Sequence, residues 1–115
     1  MKQYTSPGQT AKLIELGFEN PKNERWVLDV ANESTPSIQN IVKRQDYSIG
    51  ELIEMLPPII VWKRKNLAST IARTTFNSFV SYAELDGTPH IVEKSAELID
   101  ALYDMVVKLK EGGVI

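Results

Sequence analysis

The dipeptide Pro57-Pro58 divides the chain more sharply than any other feature. Two consecutive prolines remove two backbone donors and disfavour α geometry in the residue before them, so no helix runs through. Upstream, Ser48-Ile49-Gly50-Glu51 forms a capping box: serine and glutamate stand three apart, and each can satisfy the other's free backbone donor. This predicts a helix from Ser48 to the prolines, with Leu52, Ile53, Met55 and Leu56 on its buried face and Glu51 and Glu54 on its wet one. Downstream, Ile59-Ile60-Val61-Trp62 has the composition of a strand.

The same signals order the rest of the chain. Ser6-Pro7 opens a first helix carrying Ala11, Leu13, Ile14 and Leu16, and Gly17 closes it in a left-handed cap that folds Phe18 back toward Leu13. Asn20 to Asn23 reads as a turn, and Arg25 to Val30 as a short strand. From Ala31 to Asp46 the pattern weakens into a loop, with Ile38, Ile41 and Val42 hinting at a brief ordered piece. Residues 66–76 fit helical spacing through Leu67, Ala68, Ile71 and Ala72, but Thr70, Thr74 and Thr75 favour a strand, which is the reading taken. Phe79 to Leu85 is a strand, Asp86-Gly87 a hairpin turn, and Thr88 to Val92 a returning strand that Pro89 confines to an edge. A last helix runs from Ser95 to Glu111 with Leu98, Leu102, Met105 and Leu109 on one stripe, widened by Ile99 and Val106, and ends at Gly112-Gly113. The predicted fold class is α+β: one domain over residues 1–115, a small antiparallel sheet with about three helices packed on one side.

Composition excludes several alternatives. With 43% hydrophobic and 24% charged residues the chain has the profile of a globular domain, and 115 residues can enclose one core without staples. A net charge of −2 does not draw the whole molecule to nucleic acid or anionic lipid. The absence of cysteine excludes disulfides and thiolate chemistry and suits a reducing, cytoplasmic setting. The N-terminus lacks the apolar segment of a secretory signal, and the longest apolar run, Leu56 to Trp62, is too short for a bilayer, so no membrane association is expected.

Two segments, Tyr47 to Pro57 and Glu97 to Leu109, resemble short uncharacterised proteins of gut Bacteroidales bacteria and their prophages or other mobile elements, and Tyr4-Thr5 followed by Leu13 to Gly17 is similar to how such chains begin. The matched positions are helix caps and apolar faces. The resemblance implies a fold and an origin, but no activity, cofactor or catalytic residue.

Catalytic and metal motifs are missing. His90 is the only histidine; with Asp86 and Glu93 it could make an acid/base pair, though a solvated edge-strand histidine accounts for it better. Glu51 with Glu54 and Asp100 with Asp104 are carboxylate pairs, read as solvated helix faces rather than a metal site. Asn32-Glu33-Ser34 matches a glycosylation acceptor, without consequence in a chain for which no export is expected. Lys63-Arg64-Lys65 after Trp62, and Lys43-Arg44 before Tyr47, interleave cations with aromatics as single-strand binding surfaces do, against the alternative of charged strand ends that resist aggregation.

The expected function is therefore that of a non-enzymatic binding or accessory protein of mobile-element origin, without cofactor. It would act on a protein partner or a second copy of itself, since the last helix offers more apolar surface than one small sheet needs. Trp62, Lys63, Arg64, Lys65, Tyr82 and Tyr103 are the expected exposed anchors. The rival reading is a nucleic-acid-binding module built on Trp62 to Lys65.

Overall fold

The computed structural model describes residues 2–22, 24–28 and 41–115. Helix α1 spans Pro7–Glu15. Ser6 caps it in a reciprocal box with Gln9, and at its end Gly17 takes φ +99° while the Phe18 N–H donates to the Leu13 carbonyl. Strand β1, Glu24–Leu28, pairs antiparallel with β2, Ile41–Gln45, in a two-stranded sheet of its own. One expectation changes here and one gains its bounds. The strand expected at Arg25–Val30 begins one residue earlier, and the brief ordered piece hinted at by Ile41 and Val42 is the strand Ile41–Gln45. That segment lacks alternation because Lys43 and Arg44 are held in it by carboxylates, which a pattern of hydropathy cannot register. Asn32 to Ile38 and the glycosylation match lie outside the described residues.

Helix α2, Ile49–Met55, starts at the capping box and stops before Pro57 as its sequence requires. Only Leu52 is fully buried within it. Ile53, expected in the core, is exposed, because a helix this short turns a narrow face inward. Strands β3 (Ile59–Trp62), β4 (Lys65–Arg73), β5 (Ser78–Ala83) and β6 (Pro89–Ser95) follow in an antiparallel sheet of that same order. The ambiguous 66–76 stretch is mostly strand, and Pro89 stands on an edge strand. The Asp86-Gly87 turn is a three-residue loop: the Gly87 N–H donates to the Glu84 carbonyl, Glu84 N–H to Thr88, and Gly87 takes φ +92°. Leu85, expected in the strand, is at its tip.

Helix α3, Leu98–Glu111, begins later than expected, with Glu97 at its N-cap, because Lys94 and Ser95 still pair with Phe79 and Ser78 in the sheet. Its stripe of Leu98, Ile99, Leu102, Met105, Val106 and Leu109 packs against Leu67, Val80, Tyr82 and Ile91 on one face of the four-stranded sheet, and Leu13 and Leu52 complete the core from α1 and α2. The fold is α+β, with three helices and two antiparallel sheets. No helix among the described residues is long and apolar enough to cross a membrane.

Candidate binding surface

The Lys63-Arg64 pair forms the two central residues of the β3–β4 turn, with Trp62 opposite Lys65. Both lie in the left-handed region, at φ 48° and 66°. A two-residue hairpin needs positive φ at both central positions, where asparagine and glycine are the usual occupants. Here two long cations are held there instead, at roughly 1 kcal/mol each. The basic run is therefore the apex of a tight turn rather than a strand end.

Its charge is reduced by neighbours. Lys65 Nζ lies 2.9 Å from Glu84, and Glu84 also meets His90 Nε2 at 3.1 Å; hydrogen bonds from both hold the Glu84 carboxyl below its ordinary value. Lys43 pairs with Glu24 at 2.7 Å and Arg44 with Asp46 at 3.0 Å, so the second basic pair is neutralised and far from a bare cationic stripe. Trp62 is half-buried against the core, beside a cleft of about 590 Å³ between β3 and the Gly112–Val114 tail.

Tyr82 is not the exposed anchor expected. It is wholly buried, its hydroxyl donates to the Pro57 carbonyl at 2.7 Å, and burial pushes its pKa up to about 12. Tyr103 is half-buried; burial first, then Asp104 and Glu111, raises its pKa. The six predicted residues thus separate: Trp62 to Lys65 form one apex, while Tyr82 belongs to the core and Tyr103 to the flank of α3.

The carboxylates are tethers. Glu51 closes the Ser48 cap and accepts the Lys22 N–H, and Asp100 accepts both Lys2 Nζ at 3.0 Å and Gln9 Nε2 at 2.8 Å, pinning the N-terminal segment to α3. Glu93 pairs with Lys108 rather than His90. Among the described residues no three histidine, aspartate or glutamate side chains gather as a metal site would require.

The largest feature missed by sequence reasoning is the outer face of the four-stranded sheet. The register places Ile59, Ala68 and Ala83 in one row across it, Thr70, Ser81 and Val92 in the next, and Ala72, Phe79 and Lys94 in a third. The core-facing Leu67, Val80, Tyr82 and Ile91 point the other way, toward the helices, and nothing among the described residues covers these rows. Ile59 is 64% exposed, Val61 67% and Leu85 100%. Small side chains at Ala68, Ser81 and Ala83 leave a groove of about 530 Å³ along the face, rimmed by Leu85 and Val92. One signal was present. In Ile59-Ile60-Val61-Trp62 the alternate positions of a strand are all apolar, as expected of a strand covered on both sides, yet the helices supply only one cover. No protein-family model, curated protein sequence or solved structure matches the chain.

Proposed function

We propose that the chain is a non-enzymatic accessory protein that works by protein–protein contact, docking through the outer face of its four-stranded sheet. The observation that carries this reading is the exposure of Ile59, Val61 and Val92 on one face, with Leu85 at its rim; among that face's paired strand positions Lys94 carries the formal charge, and Glu84 lines the groove's end. The largest apolar patch on a protein surface is often a site of interaction. An origin in a prophage or other mobile element rests on the resemblance of residues 4–5, 13–17, 47–57 and 97–109 alone.

The test is a photo-crosslinking amino acid at Val61, compared with one at the exposed Glu15 on α1, in cells of the host. Docking predicts a discrete protein adduct from Val61 and none from Glu15. No adduct from Val61, or the same adducts from both, contradicts it.

A second reading, nucleic-acid binding at the Trp62–Lys65 apex, is favoured by Lys63 and Arg64, which meet no carboxylate among the described residues. Two unpaired cations neutralise about two phosphates, so affinity for duplex DNA would fall with a log–log salt slope near −2, far shallower than that of dedicated binders. Charge reversal of Lys63 and Arg64 tests it through loss of that slope.

A further inference from the structure

We infer that the free edge of β3 takes up an extended acidic segment of a partner protein as a further strand of the four-stranded sheet, at a site separate from the outer face. The pairing register exposes that edge. With Lys63-Arg64 as the turn, Trp62 and Lys65 close the ladder, and the Ser69 N–H donates to the Pro58 carbonyl at 2.9 Å. Bonding to β4 therefore falls on Pro58, Ile60 and Trp62, and the intervening Ile59 and Val61 turn their N–H and C=O groups outward. Among the described residues no strand pairs with that side of β3, and no backbone group bonds Ile59 or Val61 from it.

The two edges of the sheet differ. Strand β6 carries Pro89, Glu93 and Lys94, and its pairing shifts register beside Tyr82 and Ala83; each of these hinders a further strand. Strand β3 is uncharged, contains no proline and keeps an unbroken register, so none of those guards is present. Space and charge specify the occupant. The cleft of about 590 Å³ runs between β3 and a wall at Gly112 to Val114, whose N–H groups already donate to the carbonyls of Lys108, Lys110 and Leu109 and so are not available to β3. A strand as long as β3, at about 3.3 Å per residue, about 4.8 Å wide and about 10 Å deep, fills roughly 600 Å³. Lys63 is the charged residue lining this cleft, and neither it nor Arg64 meets a carboxylate among the described residues. An acidic side chain at that end of the incoming strand supplies the missing counter-charge, while main-chain bonds to Ile59 and Val61 hold the strand itself.

Selection of a phage-displayed library of random-sequence peptides on the purified full chain tests this, with affinities then measured on a synthetic copy of the enriched peptide. The wild type is expected to enrich peptides with β-branched or aromatic residues at alternate positions and an acidic residue at one end. Val61→Pro removes an outward N–H without touching the β4 ladder, and is expected to weaken binding about tenfold with the far-UV circular dichroism unchanged. Lys63→Glu with Arg64→Glu is expected to turn the preference from acidic to basic peptides. Amide hydrogen exchange on the wild type requires no variant: the Ile59 and Val61 amides should exchange fast in the free chain and slowly with the peptide bound. No enriched peptide, enriched peptides without an acidic residue, binding undiminished in a folded Val61→Pro, or exchange at Ile59 and Val61 unchanged by the peptide overturns the inference. Protection of those two amides in the chain alone, appearing as concentration rises, also overturns it, because the edge is then filled by a second copy. Val92→Glu, on the outer face, separates the two proposals: it is expected to leave peptide binding intact, whereas loss of binding there with Val61→Pro unaffected overturns edge pairing and leaves docking on the face standing.

Discussion

Arg25 Nη2 lies 3.0 Å from Asp46 Oδ2 and Arg44 Nη2 lies 3.0 Å from Asp46 Oδ1, so one buried carboxylate is gripped from both strands of the β1–β2 pair. The Thr10 hydroxyl, from α1, donates to the same carboxylate at 2.6 Å, and Thr5 links Thr10 to the Tyr47 N–H. Arg25 also stacks over the Tyr4 ring at 4.4 Å. A two-stranded sheet alone is marginal in water. Asp46 is what joins this one to the rest of the molecule.

Asp46→Asn leaves two guanidinium groups without their counter-charge, and the partly exposed arginines soften that loss through solvent. The expected destabilisation is about 3 kcal/mol, read as a lower urea midpoint at unchanged slope.

Acid acts on the same residue. Burial alone would raise the Asp46 pKa, but hydrogen bonds from Arg44 and Thr10 and the charges of Arg44 and Arg25 outweigh it and hold the carboxyl below its ordinary value. The stabilisation is thus complete above the unfolded pKa of about 4 and is lost as pH falls through the lower folded value. Acid titration of wild type and Asp46→Asn should converge at low pH.

Base acts on Tyr82. Its hydroxyl is held neutral to about pH 12, whereas the unfolded tyrosine ionises near 10, so stability should decline progressively between those values. Tyr82→Phe removes that decline and the bond to Pro57, at a cost of about 1 kcal/mol at neutral pH. Paired denaturation curves at pH 7 and pH 11 measure both effects.

The β3–β4 turn can be relieved. Lys63→Asn with Arg64→Gly places the residues that accept positive φ where φ is 48° and 66°. The strain relieved is about 2 kcal/mol and the glycine's extra unfolded-chain entropy takes back about 1, so a net gain of about 1 kcal/mol is expected, visible as a Tm higher by roughly 4 °C.

Asp104 carries the opposite sign from Asp46. Burial first, then Glu93 and Asp100, raises its pKa, and Asp100 sits one turn away on α3. Asp104→Asn should stabilise the fold by about 0.2–0.5 kcal/mol near neutrality, and that advantage should fade as pH drops and the carboxyl takes up its proton. Thermal melts across pH check it.

The features legible in the sequence are those whose cause is local. Ser48 with Glu51, Gly17, Pro57-Pro58 and the Leu98–Leu109 stripe each specify a cap, a stop or a face within a few residues. Strand β2 was legible only as a hint at Ile41 and Val42, because its Lys43 and Arg44 are held by Glu24 across the ladder and by Asp46 just past its end. Tyr82 was misplaced as an anchor although period-two alternation with Val80 sets it in the core, next to Ser81 on the opposite face. The bare sheet face depends on how many layers the helices provide. Three helices on one side leave the other open, and that is a property of assembly rather than of any segment.

The measurement that most directly tests the account is hydroxyl-radical footprinting of the dilute purified chain, followed by the same footprint in its assembled state. The account predicts that Ile59, Val61 and Leu85 are oxidised at the rate of exposed side chains when dilute, while Leu67 and Leu102 stay protected, and that oxidation of the first three falls on assembly. Protection of Ile59, Val61 and Leu85 already in the dilute chain would contradict it, because the face would then be covered from within the molecule.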